Sequence, residues 1–212
     1  MISIVFPHAN NEENNKVLEL KLRLYKKYTT CEYEILYMSN DKRPDLVYPF
    51  WDWAIRNAKY DLILWDNTDL LPAPKWNENV LAHKDDADWI GIQLVECGQI
   101  GVHSNNIHKN FGITAKEVED NIDLWEKWVE DESKNKGTKL RDGFCWYSPS
   151  VWKKEWYIKM GGFDLSKSFP YPNDSEFREK CEKEYAKFIV VNSYFYHLQR
   201  AGENLGNKLE RV

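Results

Sequence analysis

The 212-residue chain is poor in the features that would make it something other than a globular domain. It has four cysteines, Cys31, Cys97, Cys145 and Cys181, far apart and without a CxxC unit. That pattern excludes a zinc knuckle and a disulfide-stapled scaffold, and it fits a reducing compartment, the cytoplasm. No apolar run approaches the roughly 18 residues that a membrane span needs. The opening MISIVFPH has no basic region followed by a long apolar one, so a signal peptide is not expected. An excess of positive charge is missing too. Lys and Arg number 29 against 34 Asp and Glu, for a net charge of -5, and no basic stripe is visible. Nucleic acid is therefore not expected as a partner. There is no repeat, no low-complexity tract and no composition break. One domain over 1–212 is expected, large enough for a real core.

Aromatic residues are abundant, with ten Trp, twelve Tyr and nine Phe. Many must be core, and exposed ones can offer flat faces to the apolar sides of sugar rings. Ile2 to Phe6 reads as a strand ending at Pro7. Val17, Leu20, Leu24 and Tyr28 share one helical face, with Lys and Glu between them. Glu34 to Met38 reads as a second strand, and Leu46, Phe50, Trp53 and Asn57 as a second helix. Leu62 to Trp65 reads as a third strand. This alternation predicts a parallel α/β unit with three strands ending at polar loops on one edge. Asp88 to Val95 reads as a further strand and Gly98 to Gly112 as a polar loop. Thr114 to Glu117 is a capping-box pattern opening a helix through Val118, Ile122, Trp125 and Val129. In the last third, Gly143 to Ser148 is strand-like and Gly161-Gly162 marks a turn. Asn173 is placed to cap a helix with Phe177, Cys181 and Tyr185 on its buried face. Phe188 to Tyr196 reads as a final strand.

The stretch Asp66-Asn67-Thr68-Asp69 is the most informative. An apolar strand breaks there into two carboxylates, and Pro72 and Pro74 are expected to prevent the strand from resuming. In open α/β sheets ligands bind at the carboxyl ends of strands. Two neighbouring carboxylates repel unless a hard divalent cation lies between them. Asp, Asn and Thr also make turns, so the same residues fit a simple turn.

These features in this order resemble the GT-A fold family of nucleotide-sugar-dependent glycosyltransferases. The matching residues are Phe6-Pro7-His8-Ala9-Asn10, Ser39-Asn40-Asp41, Asp66 to Asp69, Gly161-Gly162-Phe163-Asp164, Asn173-Asp174 and Tyr196-His197. Within the family the whole chain is similar to the N-terminal glycosyltransferase domains of chlorella-virus proteins associated with capsid-protein glycans. The resemblance implies a single Rossmann-like GT-A domain, with a central, mostly parallel sheet flanked by helices. It implies a nucleotide-binding half over about 1–100 and an acceptor-binding half over about 101–212. It implies a UDP-sugar donor, a glycan or glycoprotein acceptor (a viral capsid protein among the candidates), and manganese or magnesium. A viral chain would work in the host cytoplasm. Pro7, His8, Asn10, Ser39, Asn40, Asp41, Asp66, Asn67 and Thr68 are the expected nucleotide-sugar contacts. Gly143, Trp146, Gly161 and Gly162 are expected on the acceptor side. The chain departs from the family's Asp-x-Asp, having Asp-x-x-Asp, and Asn173 replaces the first acid of the usual pair.

Oxygen ligands suit magnesium or manganese, and a histidine suits the softer of the two. Asp69 is the first choice of metal ligand. Asp66 is a second ligand or a ribose contact. His197 is either a third ligand or a histidine satisfied by the backbone. Asp174 is the expected general base for an inverting transfer, or merely a helix cap. The helix N-terminus is expected to keep its pKa low. Other readings are a retaining transferase of the same fold and a non-catalytic carbohydrate-binding module. A sugar nucleotidyltransferase ranks lower, because His8 to Glu13 lacks the glycines and positive charge of its phosphate loop.

Overall fold

The computed structural model describes residues 1–8, 10–39, 44–97, 107–144, 147–167 and 173–198. Asn40, Asp41 and Trp146, expected at the site, lie outside these residues.

The first half alternates strands and helices. β1 (Ile2–His8), α1 (Glu12–Tyr28), β2 (Tyr33–Ser39), α2 (Val47–Asn57) and β3 (Leu62–Trp65) form the expected unit, with β1 parallel to both β2 and β3. α1 begins where the Asn11 side chain accepts the Asn14 N–H at 2.8 Å, and it carries Glu12 and Glu13 at its start and Lys26 and Lys27 at its end. Both features favour a helix there. In α2 the buried side chains are Tyr48, Phe50, Trp51, Asp52, Ala54 and Ile55. Trp53, which follows the helical spacing, is 55% exposed. The spacing of Leu46, Phe50, Trp53 and Asn57 is helical, but tertiary packing selects a neighbouring stripe.

β4 (Leu70–Pro72) corrects a second expectation, since the chain does resume a strand after Asp69. It pairs antiparallel with the end of β9 (Phe188–His197). β4 closes the sheet order, an edge where a proline's missing N–H costs no ladder bond. α3 (Trp76–Ala82), β5 (Trp89–Glu96) and β6 (Ile107–His108) follow. The Thr114–Glu117 capping box is present in both halves, but the helix it opens breaks at Asn121 into α4 (Ala115–Asp120) and α5 (Ile122–Ser133). β7 (Lys139–Asp142), β8 (Ser150–Lys153) and α6 (Lys154–Lys159) flank the run over 143–148 that reads as strand-like, and the described residues of that run are not in a strand. Residues 147–149 form a bend with a cis Ser148–Pro149 bond.

α7 (Asn173–Lys183) buries Asn173, Phe177 and Cys181. Tyr185, expected on that face, is 93% exposed at φ 60°, past the helix end. Asn173 does not cap its own helix. Its side chain accepts the Asp164 N–H at 3.1 Å and donates to the Lys167 carbonyl at 3.0 Å.

The described strands form one sheet in the order β2-β1-β3-β8-β5-β9-β4, with β6 on β5 and β7 on β9. It is mixed rather than mostly parallel. Two parallel groups, β2-β1-β3 and β5-β9, are joined through antiparallel β8. Because β8 opposes both, β1, β3, β5 and β9 all end on the same edge. Alternation along the central strands sends Leu62, Leu64, Val151 and Ile90 to one face and Ile63, Trp65, Trp152 and Trp89 to the other. α1 packs on the first face and α2 and α7 on the second. The second core is aromatic: Trp89 and Trp152 stack with centroids 4.9 Å apart, and Trp65 lies 4.9 Å from Trp152. Most of the aromatic wealth is thus core, where ring pairs add to area burial.

Candidate active site

The loop Asp66 to Asp69 leaves β3 at the carboxyl edge and crosses on the α1 face to β4. Its first carboxylate faces inward. Asp66 is 0% exposed. Its Oδ2 accepts from Lys21 Nζ at 2.6 Å and from the Tyr25 hydroxyl at 2.7 Å, and its Oδ1 accepts the Asn67 N–H at 2.7 Å. Lys21 also donates to the Asn67 carbonyl and lies 4.2 Å from the Phe6 ring centre. Burial pushes the Asp66 pKa up and the Lys21 pKa down, while their mutual attraction opposes both shifts. Asp66, expected as a metal ligand or ribose contact, is corrected to a structural anchor, because no solvent reaches it and both its oxygens are taken.

The rest of the loop is pinned in turn. The Thr68 hydroxyl donates to the Pro7 carbonyl at 2.6 Å, tying the loop to the end of β1. The Leu198 N–H donates to the Asp69 carbonyl at 2.9 Å, tying it to the end of β9. Asp69 therefore arrives beside His197, its Oδ2 3.2 Å from Nε2. The other ring nitrogen, Nδ1, is 2.9 Å from Glu96 Oε2. Glu96 and His197 end neighbouring strands and are register partners. The His197 side chain is 27% exposed, Asp69 16% and Glu96 6%. Burial alone would lower the His197 pKa, but Asp69 and Glu96 overcome it and raise it to about 10. At neutral pH the ring is an imidazolium donating both N–H groups. Burial alone would likewise raise the Asp69 pKa, but His197, with Lys21 farther in, holds it below the ordinary carboxylate range.

Asp174 reaches the same edge from the opposite face. It lies in the first turn of α7, where its Oδ1 accepts the Ser175 N–H at 2.8 Å. The Ser175 hydroxyl is 3.1 Å from the Tyr147 hydroxyl, and the neighbouring Ser148 donates to the Trp65 carbonyl at the end of β3. Burial, with the nearby Asp174 charge, raises the pKa of Tyr48, at the start of α2, to about 12, against the backbone of Asp174 and Asn173. Burial raises the Asp174 pKa against the N–H of Ser175 and its own N–H. That corrects the expectation of a low value: desolvation outweighs the helix terminus.

Other expected residues are dispersed. His8 ends β1 but is 3% exposed, with Nε2 2.8 Å from Asn15 Oδ1. Asn10, at the surface, accepts from Asn15 Nδ2 at 3.1 Å, and Ser39 stands exposed at the end of β2. Gly143 is not at the site. Its N–H donates to the Phe188 carbonyl at the start of β9, a ten-residue strand or roughly 30 Å away from His197. Gly161 and Gly162 sit beside the second half of α2. A Cβ on Gly162, at φ +74°, would stand 2.7 Å from Asp52 Oδ1 and 2.9 Å from Tyr157. That glycine permits close packing against the buried Asp52–Tyr157 pair and the exposed Arg56 that joins it, and no acceptor contact follows from its position.

Lys21, Tyr25, Tyr48 and Glu96 were not among the expected site residues. Lys21 carried a signal, since it falls four residues after Val17 and four before Tyr25, on the apolar stripe of α1. Glu96 is the only carboxylate within β5, WIGIQLVE.

Two solved proteins share this architecture. S. aureus TarS 1–349 superposes with a TM-score of 0.57 at 14% identity, covering 99% of this chain and 66% of that one. Its complex with UDP gives 0.55 at 12% identity. GalNAc-T7, solved with UDP, GalNAc and Mn2+, gives 0.62 at 12% identity, covering 93% of this chain and 43% of that one. No family model and no curated protein sequence matches. The chain spans about two thirds of the shorter TarS form and less than half of GalNAc-T7. At such identities the likeness is one of fold, and both neighbours are GT-A glycosyltransferases. The mixed sheet with helices on both faces matches the GT-A fold of these neighbours.

Proposed function

We propose that the chain is a metal-dependent, inverting glycosyltransferase that moves a sugar from a UDP-sugar to a hydroxyl of a glycan or glycoprotein. The observation that carries this reading is the partly open Asp69–His197 pair at the carboxyl end of β9, 3.2 Å apart. The neighbours solved with UDP support the donor class, and the one solved with Mn2+ supports a divalent ion.

The residues present fit such an ion in a restricted way. Among the described residues no group of three His, Cys, Asp or Glu side chains is placed to hold a metal. Two ligands suffice where a diphosphate and water complete the shell. The 3.2 Å between Asp69 Oδ2 and His197 Nε2 is close to the about 3 Å between adjacent ligands of a six-coordinate ion. His197 must give up its proton to serve, since only neutral imidazole coordinates. A bound manganese or magnesium ion would neutralise the leaving diphosphate. The loop anchored by Asp66, Lys21 and Thr68 sets where that charge is held. Asn10 and Ser39, at the ends of β1 and β2, flank the nucleotide in this reading.

Asp174 acts on the other reactant. The acceptor oxygen attacks the anomeric carbon, the bond from that carbon to the diphosphate oxygen breaks with its electron pair leaving on UDP, and the hydroxyl proton passes to the Asp174 carboxylate. Its raised pKa makes it a better proton acceptor than an exposed aspartate. The reading places the reaction in the cytoplasm, and the chlorella-virus likeness makes capsid glycans the first acceptors to test.

Asp174→Asn removes the proton acceptor while keeping the shape. Transfer should fall on the order of 10²–10⁴-fold, with UDP binding and thermal stability near wild type. Wild-type transfer by this variant would remove the base. A product with retained anomeric configuration would remove the inverting mechanism.

A further inference from the structure

Resting on the metal-dependent reading above, we propose that Glu96 is a positioning residue for the metal site. It holds the Nδ1–H of His197 so that the Nε2 lone pair of the neutral ring is presented beside Asp69. Glu96 ends β5 and His197 ends β9, and the two are cross-strand partners in a parallel pair. Their side chains meet at 2.9 Å, and the Glu96 side chain is 6% exposed. The ring therefore lies between two carboxylates, one on each nitrogen, and they are not equivalent. Asp69 comes from a loop and is the more open of the two. Glu96 is fixed in the sheet and is the more buried of the two.

A neutral acceptor at Nδ1 would orient the ring. A buried carboxylate does more. It selects the Nδ1–H tautomer, leaves Nε2 as the coordinating atom, and adds electron density that makes the imidazole a stronger ligand. A buried acid also carries a desolvation cost, which is hard to reconcile with a purely orienting role. Glu96 does not touch the metal or the substrate in this scheme and acts only through His197.

The test is a manganese titration in the presence of UDP, with free Mn2+ read by its electron paramagnetic resonance signal. Wild type, Glu96→Gln, Glu96→Leu and His197→Ala are compared, with thermal melting as the folding control. Glu96→Leu should bind Mn2+ on the order of 10–100-fold more weakly. Glu96→Gln should fall between it and wild type, because the amide oxygen still accepts the Nδ1–H but carries no charge. In the transfer assay the Gln variant should need more Mn2+ for half-maximal rate and recover its maximal rate at saturating Mn2+, a split that mere loosening of the fold would not give. If Glu96→Leu does not fold, the near-isosteric Gln variant decides. Wild-type Mn2+ affinity in Glu96→Gln, together with weakened binding in His197→Ala, overturns the role of Glu96 alone. Wild-type protein that holds no Mn2+ with UDP overturns the metal reading and this inference with it.

Discussion

Asp66 and Asp69 stand at the two ends of one turn and occupy different media. Asp66 is sealed beneath α1, with a lysine, a tyrosine and a backbone N–H on its oxygens. Asp69 is partly open, with a histidine on one oxygen. Burial dominates the first, raising its pKa, and charge dominates the second, lowering it. A carboxylate whose partners are complete serves as framework. One whose partner can lose a proton is available for chemistry. The two readings left open by sequence, turn and site, thus fall on different residues: the geometry of Asp66 is that of a turn anchor, and the proposed site rests on Asp69.

The difference is broken most severely at Asp66. Asp66→Ala leaves the Lys21 ammonium buried without its counter-charge, which should cost about 3–5 kcal/mol. For a chain of this size that lowers Tm by roughly 10 °C or more. Chemical denaturation showing a loss below about 1 kcal/mol would mean that Lys21 finds another partner.

Asp69→Ala should act the other way round. The side chain supports little of the core and His197 keeps Glu96, so the loss of stability should be only about 1 kcal/mol, the Asp69 share of the His197 pairing. Manganese-dependent UDP binding should weaken on the order of 100-fold, measured by calorimetry. Unchanged UDP affinity would take Asp69 out of the metal site.

The fold was largely legible from periodicity. β1, α1, β2, β3, β5 and β9 are long or strongly patterned, and sequence places them within a residue or two, apart from α1, whose boundaries it left open. β4, β7 and β8 are short, and their identity depends on partners far away in sequence. Spacing alone misplaced Tyr185, because a helix reads correctly while its buried stripe and its end are chosen by the packing it meets. At the site, residue types were legible and orientations were not. Nothing local says that Asp66 points in and Asp69 out. That is decided by Lys21 and Tyr25, more than forty residues away, and a lysine on a helix reads as solvated surface unless its place on the apolar stripe is weighed.

The pH dependence sharpens the contrast at its exposed end. The His197 pKa of about 10 in the folded protein lies above its ordinary value of about 6.5. Its pairing therefore stabilises the metal-free protein fully below pH 6.5, roughly, and is lost as pH rises toward 10. The depressed Asp69 pKa adds stability above its ordinary range that is lost under acid. Urea denaturation of wild type and His197→Gln, compared between pH 6 and 10, should show a histidine-dependent loss on the order of 2 kcal/mol, discounted for partial exposure. Parallel curves for the two proteins would mean that the ring is neutral when folded.

The smallest expected effect is the most discriminating, because it separates charge from shape at the buried end. Lys21→Met alone strands a carboxylate in the interior and should be costly, as Asp66→Ala is. Joined to Asp66→Asn, the same change should cost only about 1 kcal/mol. Methionine fills the volume of the lysine stem over Phe6. The new amide keeps an oxygen for the Asn67 N–H and turns its NH2 toward the Tyr25 oxygen. The bonds lost are that from Lys21 to the Asn67 carbonyl and that from the Tyr25 O–H to the carboxylate, the latter partly replaced by the amide N–H on the Tyr25 oxygen. With each single change costing about 3–5 kcal/mol and the pair far less, a double-mutant cycle should give a coupling of about 5 kcal/mol. The double variant should also keep manganese-dependent UDP binding close to wild type, because Thr68 and Leu198 still pin the loop that carries Asp69. If the paired change instead removes UDP binding while the protein stays folded, the buried charge is felt at Asp69, and the two ends of the turn work as one electrostatic unit.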